Sequence, residues 1–199
     1  MAVSRNQREG KAIRVDILNA ASHVFGTKGY DRATLDDVAE VVGMQKGSLY
    51  YHIDSKEQLL LQIHERLNTT LLTRTKLKLG GRKGTPADDL ADAIRVLVEL
   101  IAESREEVRV ALKEYHHLSP ENALIILDHR KAYMKLIADI IKRIMSNGSV
   151  PSRRKLEIIA FGVLGMAYFV SEWYDEKKDA PEQIADIYTA LIMRGLPKL

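Results

Sequence analysis

A chain of 199 residues, 46% hydrophobic and 29% charged, can bury a sizeable core and has the balance of an ordinary globular protein. It has no cysteine, which excludes disulfides and thiolate metal sites. A formal net charge of +3 is too mild to name a nucleic-acid partner by itself, and no apolar N-terminal run marks a secretory signal, so a cytoplasmic protein is expected.

Helical periodicity runs through almost the whole chain. Ile13, Ile17, Leu18, Ala21, Val24 and Phe25 make one apolar stripe, closed by Lys28-Gly29 with Gly29 suited to a left-handed cap. Thr34 starts a short helix, with Asp37 at the capping-box position and Leu35, Val38, Ala39 and Val42 as its inner face. Gly43 permits a tight turn into a second short helix from about Gln45 to Tyr51. Ser55, with Gln58 three residues on, caps the next, whose inner face is Leu59, Leu60, Ile63, Leu67 and Leu71.

The segment from Leu79 to Pro86 holds three glycines and a proline and is the clearest break in the chain. Beyond it the spacing predicts helices at about 87–104, 106–118, 120–145, 152–175 and 181–194, with turns at Asn147-Gly148 and from Lys177 to Ala180. No strand-type alternation or internal repeat is visible. The expectation is an all-α protein of about nine helices. Residues 1–54 would form a three-helix N-terminal domain and residues 55–199 a second domain, with 55–78 as connecting helix.

Two short helices joined around a glycine and flanked by longer ones form a helix-turn-helix, whose second helix enters the DNA major groove. Here that helix is Gln45-Lys46-Gly47-Ser48-Leu49-Tyr50-Tyr51-His52. Leu49 points inward, and no acid occurs between Glu40 and Asp54, as a surface approaching phosphates requires. Gln45 and Lys46 can reach base edges, and Gly47 lets the backbone come close. Ser48, Tyr50, Tyr51 and His52 can donate to phosphate oxygens. Thr34 and Lys56 sit at helix N-termini, where free amides and the dipole favour an anion. Packing alone also produces such helices, and tyrosines are common in cores.

The segment from Ile13 to Leu60 resembles the DNA-binding domain of the TetR family of repressors. The resemblance rests on Gly29-Tyr30, Ala33-Thr34, Val38-Ala39 and Gly43, then on Lys46-Gly47-Ser48-Leu49-Tyr50-Tyr51-His52, and last on Ser55-Lys56-Glu57-Gln58-Leu59. Ile53 stands where Phe is usual, Val42 where Ala is common, and Gln45 where Ser is frequent. The first two concern packing; the third lies where bases are read, so no operator sequence transfers. The resemblance implies a homodimeric repressor, released from double-stranded operator DNA by a small-molecule effector bound in a C-terminal helical domain. It implies no cofactor, no enzymatic activity and no membrane attachment.

It also implies that the last two helices pair with those of a second subunit. Ile158 to Val170 is apolar nearly all round, which predicts burial on every side, and it is too short for a bilayer span. Gly162, Gly165, Phe169 and Trp173, with Ile184, Ile187, Tyr188 and Leu191 on the final helix, are the expected dimer interface. Ligand sites between helices are mostly apolar with a few polar anchors. Leu112, Tyr115, His116, Tyr133, Phe161, Leu164 and Tyr168 fit that description, and equally fit a plain core. The segment Tyr168 to Tyr174 is similar to C-terminal domains of TetR-type regulators that respond to acyl-CoA thioesters.

Two basic groups remain: Arg5, Arg8, Lys11 and Arg14, and Arg74, Lys76, Lys78, Arg82 and Lys83. They read as solvated tail and loop or as patches facing phosphates of CoA or DNA. Glu114 and His117 are spaced i, i+3 with His116 adjacent, but a di-iron bundle needs two such pairs, so no metal is expected. No nucleophile elbow or phosphate-cradling glycine loop is present, so no catalysis is expected.

Overall fold

A computed structural model describes residues 5–81, 84–145 and 151–196, with side chains from residue 12 onward. The side chains of Arg5, Arg8 and Lys11, and the residues Arg82, Lys83, Asn147 and Gly148, lie outside this description. The described residues are helical with no strand. Their order is α1 (Arg5–Lys28), α2 (Leu35–Val42), α3 (Lys46–His52), α4 (Lys56–Gly80), α5 (Pro86–Glu103) and α6 (Arg105–Lys113). A single 3-10 turn, η1 (Tyr115–His117), leads into α7 (Pro120–Ile144), α8 (Arg153–Tyr168), α9 (Val170–Trp173) and α10 (Pro181–Gly195). Counting α8 and α9 as one broken helix leaves nine. Two expected helices are interrupted. The stretch 106–118 stops at Lys113 and tightens into η1, and 152–175 breaks at Phe169.

The chain divides into two compact units. The first holds residues 1–67 together with Glu106–Ile126, and the second holds Asn68–Arg105 and Leu127–Leu199. The division falls within α4 and α7. The N-terminal unit thus contains a segment, α6 with η1 and the start of α7, that a purely sequential division leaves in the C-terminal half.

Local chemistry explains the elements of the first unit. Thr34 caps α2: its hydroxyl accepts from the Asp37 amide, and the Asp37 carboxylate accepts from the Thr34 amide, a reciprocal capping box. Gly29 and Gly43 have φ of 77° and 73°, the left-handed conformation that stops α1 and α2 where the sequence requires. At the start of α4, the Ser55 hydroxyl accepts from the Gln58 amide, while the Gln58 side chain accepts from the Asp54 amide one residue early. Ile17, Val24 and Phe25 of α1, Val38 of α2, Leu49 of α3, and Leu59, Leu60 and Ile63 of α4 share one core. Val110, Leu118 and Ile126 complete it. Glu57 accepts from the Ser119 amide at 2.7 Å and from Asn122 Nδ2 at 2.6 Å, so an α4 carboxylate caps the start of α7. Those donors, the backbone amide first, hold its carboxyl below the usual range.

In the second unit the helix buried on nearly every side is α5. Its Leu90, Ile94, Leu97, Val98 and Ile101 are enclosed, and α8, α9 and α10 pack against it. Its buried Asp89 accepts from Arg143 at 2.7 Å, and its Arg95 pairs with Asp186 of α10 at 2.6 Å. Arg105 donates to the Ser171 and Glu172 carbonyls, satisfying the otherwise open end of α9. Within the single chain α8 is not covered all round: Ile158 and Phe161, with Phe169 just past its end, stay exposed. Arg153–Trp173, at 21 residues and mean hydropathy 1.4, is long and apolar enough by those two measures to cross a membrane, contrary to the length argument from sequence. Its inner face, however, packs on α5.

Candidate nucleic-acid interface

Three short-range devices aim α3. The capping box sets α2, the left-handed Gly43 turns the chain, and Leu49, 0% exposed, seats α3 in the core. The remaining face is open. Gln45, Lys46, Gly47, Ser48 and Tyr50 are exposed, Tyr51 is 86% exposed, and His52 is partly covered. A Cβ placed on Gly47 meets nothing within 4 Å, so no internal packing demands a glycine there. The His52 ring meets Tyr51 edge-on at 5.3 Å, and Lys46 Nζ lies 5.8 Å from the Tyr50 ring.

One partner escaped the sequence reading. Lys46 Nζ donates to Asp36 Oδ2 at 2.7 Å, which holds the ammonium pKa above its ordinary value. Asp36 precedes the acid-free window but lies one helix away, and nothing in the linear spacing joins the two.

The two candidate anion positions both have partners within the chain. At Thr34, Asp36 and Asp37 occupy the first turn of α2, paired with Lys46 and Lys28 at 2.7 Å each. Lys56 is not directed outward. Its ammonium donates to the Tyr30 carbonyl at 2.6 Å and the Ala33 carbonyl at 3.0 Å, and lies 4.3 Å from the Tyr30 ring centroid. It closes the loop between α1 and α2. Tyr30 is itself locked, packed edge-on to Phe25 at 5.2 Å, and burial beside Glu57 pushes its phenol up to about 12.

A sequence model described as bacterial regulatory proteins of the tetR family matches residues 17–63, and one described as a tetracyclin repressor-like C-terminal domain matches residues 83–196. The chain belongs to the TetR family. Relatives agree along its length. The HTH-type transcriptional repressor KstR2 of Mycolicibacterium smegmatis is 24% identical, covering 92% of this chain and 90% of its own. A crystal structure of a tetR-family regulatory protein from Rhodococcus RHA1 superposes with a TM-score of 0.82 at 27% identity, covering 92% and 96% of the two chains. AibR, solved in complex with isovaleryl coenzyme A and operator DNA, gives a TM-score of 0.75 at 25% identity, covering 90% and 97%.

In this TetR-family chain the outer apolar stripe lies on α8 to α10. Phe161 is 56% and Phe169 63% exposed, and Trp173, Ile187 and Leu191 are bare as well. A Cβ on Gly162 or Gly165 meets nothing within 4 Å. Tyr188 is partly covered and bonds to Trp173. Ile184 is corrected: it is 6% exposed and packs inside its own chain.

The seven effector candidates do not share one unit. Leu112, Tyr115 and His116 lie in the first, where Leu112 and His116 are exposed and the Tyr115 hydroxyl donates to the Ala123 carbonyl at 3.2 Å. Tyr133, Phe161, Leu164 and Tyr168 lie in the second. Of these, Phe161 lies on the outer stripe. Tyr133 is buried, its hydroxyl 3.4 Å from Thr75 Oγ1 and donating to the Ala93 carbonyl at 3.4 Å. Burial pushes both the Tyr133 and the Tyr168 phenols up, and the Arg130 guanidinium pulls the latter back. Thr75 and Arg130 thus join Tyr133 and Tyr168. Neither residue type stands out in a helical sequence, because only burial separates them from surface positions.

Proposed function

We propose that this TetR-family chain is a transcriptional repressor that grips its operator as a homodimer and is released by a small-molecule effector, an acyl-CoA thioester or another metabolite with an apolar moiety. The observation that carries it is the outer face of α3, where every exposed side chain is a donor, an amide or an aromatic hydroxyl, and none is a carboxylate. Gln45 and Lys46 reach base edges there, with Ser48, Tyr50, Tyr51 and His52 on flanking phosphates. The cytoplasm is the corresponding compartment, since operator DNA is found there.

Two half-sites about one helical turn apart, roughly 34–36 Å, require two-fold symmetry in the protein. The bare stripe of Phe161, Gly162, Gly165, Phe169, Trp173, Ile187 and Leu191 supplies a self-complementary surface for that pairing. The effector class is supported by AibR, a neighbour solved with isovaleryl coenzyme A, and by the polar group of Thr75, Arg130, Tyr133 and Tyr168 in the C-terminal unit. Of the basic run, Lys76 and Lys78 are exposed, while Arg74 pairs with Glu103 at 2.6 Å. Release requires that the effector bind the DNA-incompetent conformation more tightly.

The test is fluorescence anisotropy with duplexes tiled across the DNA upstream of the gene, over a salt series, with and without isovaleryl-CoA. One duplex bound with a steep salt dependence and released by the thioester is expected. No salt-sensitive binding to any duplex overturns the reading. Binding that ignores a panel of acyl-CoA thioesters keeps the repressor and removes the effector class.

A further inference from the structure

We propose that Glu114, His116 and His117 form a binding site for a divalent cation of the zinc class, steadied by Asp31. The site lies wholly within the N-terminal unit and is independent of the DNA-binding reading.

The 3-10 turn creates it. With about three residues per turn, side chains at i and i+3 eclipse. Glu114, which immediately precedes η1, is therefore stacked over His117, with Oε2 3.3 Å from Nε2. The same tight turn folds His116 back, so that the two imidazole centroids are 4.0 Å apart. One ligand atom from each of the three residues lies within 4.8 Å of the others. A tetrahedral zinc ion with bonds of about 2.0–2.1 Å has ligand–ligand edges of about 3.4 Å. The Glu114–His117 edge already has that length, and the exposed His116 closes the set by rotation about its own side-chain torsions.

A second feature points the same way. Imidazoles that bind metals usually offer their other nitrogen to a carboxylate, which sets the tautomer and ring orientation. Asp31 Oδ1, on the loop between α1 and α2, stands 3.6 Å from His117 Nδ1, on the opposite side of the ring from Glu114. Tyr30 stacks on the same ring at 4.6 Å and 27°, fixing its plane. Two imidazoles and a carboxylate suit zinc, nickel or cobalt and not magnesium or calcium, and three protein ligands leave a fourth position for water. A di-iron bundle needs a second Glu-x-x-His pair on another helix. A single-ion site on a 3-10 turn needs only one pair and a neighbour.

The experiment uses the untagged full-length chain, stripped with chelator and titrated with zinc chloride by calorimetry. One zinc per chain is expected, with a rise in Tm. His116→Gln and Glu114→Gln each weaken binding at least tenfold and abolish the rise, and Asp31→Asn weakens it about tenfold. His116 and Asp31 are exposed, so their variants fold, Glu114→Gln is isosteric, and circular dichroism verifies all three. His23→Gln and magnesium chloride serve as controls, the first leaving zinc affinity unchanged and the second giving no heat. Absence of saturable one-to-one binding overturns the proposal. So does binding that survives in all three variants at wild-type strength, or a Tm rise in folded His116→Gln equal to that of the wild type.

Discussion

Lys46 is held by Asp36 across two helices, and a base or phosphate must compete with that carboxylate. Two opposite effects are therefore expected. Lys46→Ala weakens operator binding by about 1–3 kcal/mol if the side chain reads a base, and lowers the salt slope by about one counterion if it reaches a phosphate. Asp36→Asn frees the ammonium and removes a negative charge near the DNA, so affinity rises several-fold. Anisotropy at three salt concentrations measures both; unchanged affinity in Asp36→Asn contradicts the competition. Lys56 belongs to a different class. Its donor bonds to the loop carbonyls of Tyr30 and Ala33 make Lys56→Met a stability variant, costing about 1–2 kcal/mol in urea denaturation. The folded Lys56→Met variant should keep its operator affinity; a DNA defect without a stability defect restores the phosphate role read from sequence.

At the scale of elements, the turn from α1 through α2 to α3 was readable because its signals are local. A capping threonine, a carboxylate three residues on and two left-handed glycines act within a few residues of themselves. The Lys28 ammonium at 2.7 Å, with the Thr34 amide, lowers the Asp37 pKa to about 2. An unfolded aspartate titrates at about 4. The folded value is the lower, so this contribution is present in full above about pH 4 and is lost as pH falls toward 2. The stability gap between wild type and Asp37→Asn should therefore be constant near neutrality and close between about pH 4 and 2 in thermal melts. A gap that persists at pH 2 disproves the ionised cap. Thr34→Ala should cost about 1 kcal/mol by the same logic. The helix breaks at Glu114 and Phe169 were not readable. Each falls inside apolar periodicity, and the bonds that secure the neighbouring helix ends are tertiary: Arg105 holds the end of α9, and Glu57 caps α7 directly after η1.

At the scale of the molecule, apolar periodicity counted the helices but could not say which neighbour each face meets. The stretch Ile158 to Val170 and helix α5 are both rich in apolar residues. Only α5 is enclosed by its own chain, while α8 keeps Ile158 and Phe161 outside, and Phe169 follows at the break. Because those side chains are already exposed, Phe161→Glu and Phe169→Glu should fold normally yet yield monomers in analytical ultracentrifugation. Operator affinity should fall with them, since the second half-site is lost. A folded, dimeric double variant places the interface elsewhere.

The sequence by itself determined the helical class, the family and the outward donors of α3, because these depend on spacing of 3.6 residues, on caps, and on one contiguous motif. Tertiary structure alone decided that Lys46 meets Asp36, that Lys56 reaches the loop carbonyls, that Phe161 lies on the exposed stripe, and that Glu114, His116 and His117 converge beside Asp31. Such pairings join residues on different elements. Their free energy depends on distance and burial, which no order along a chain records.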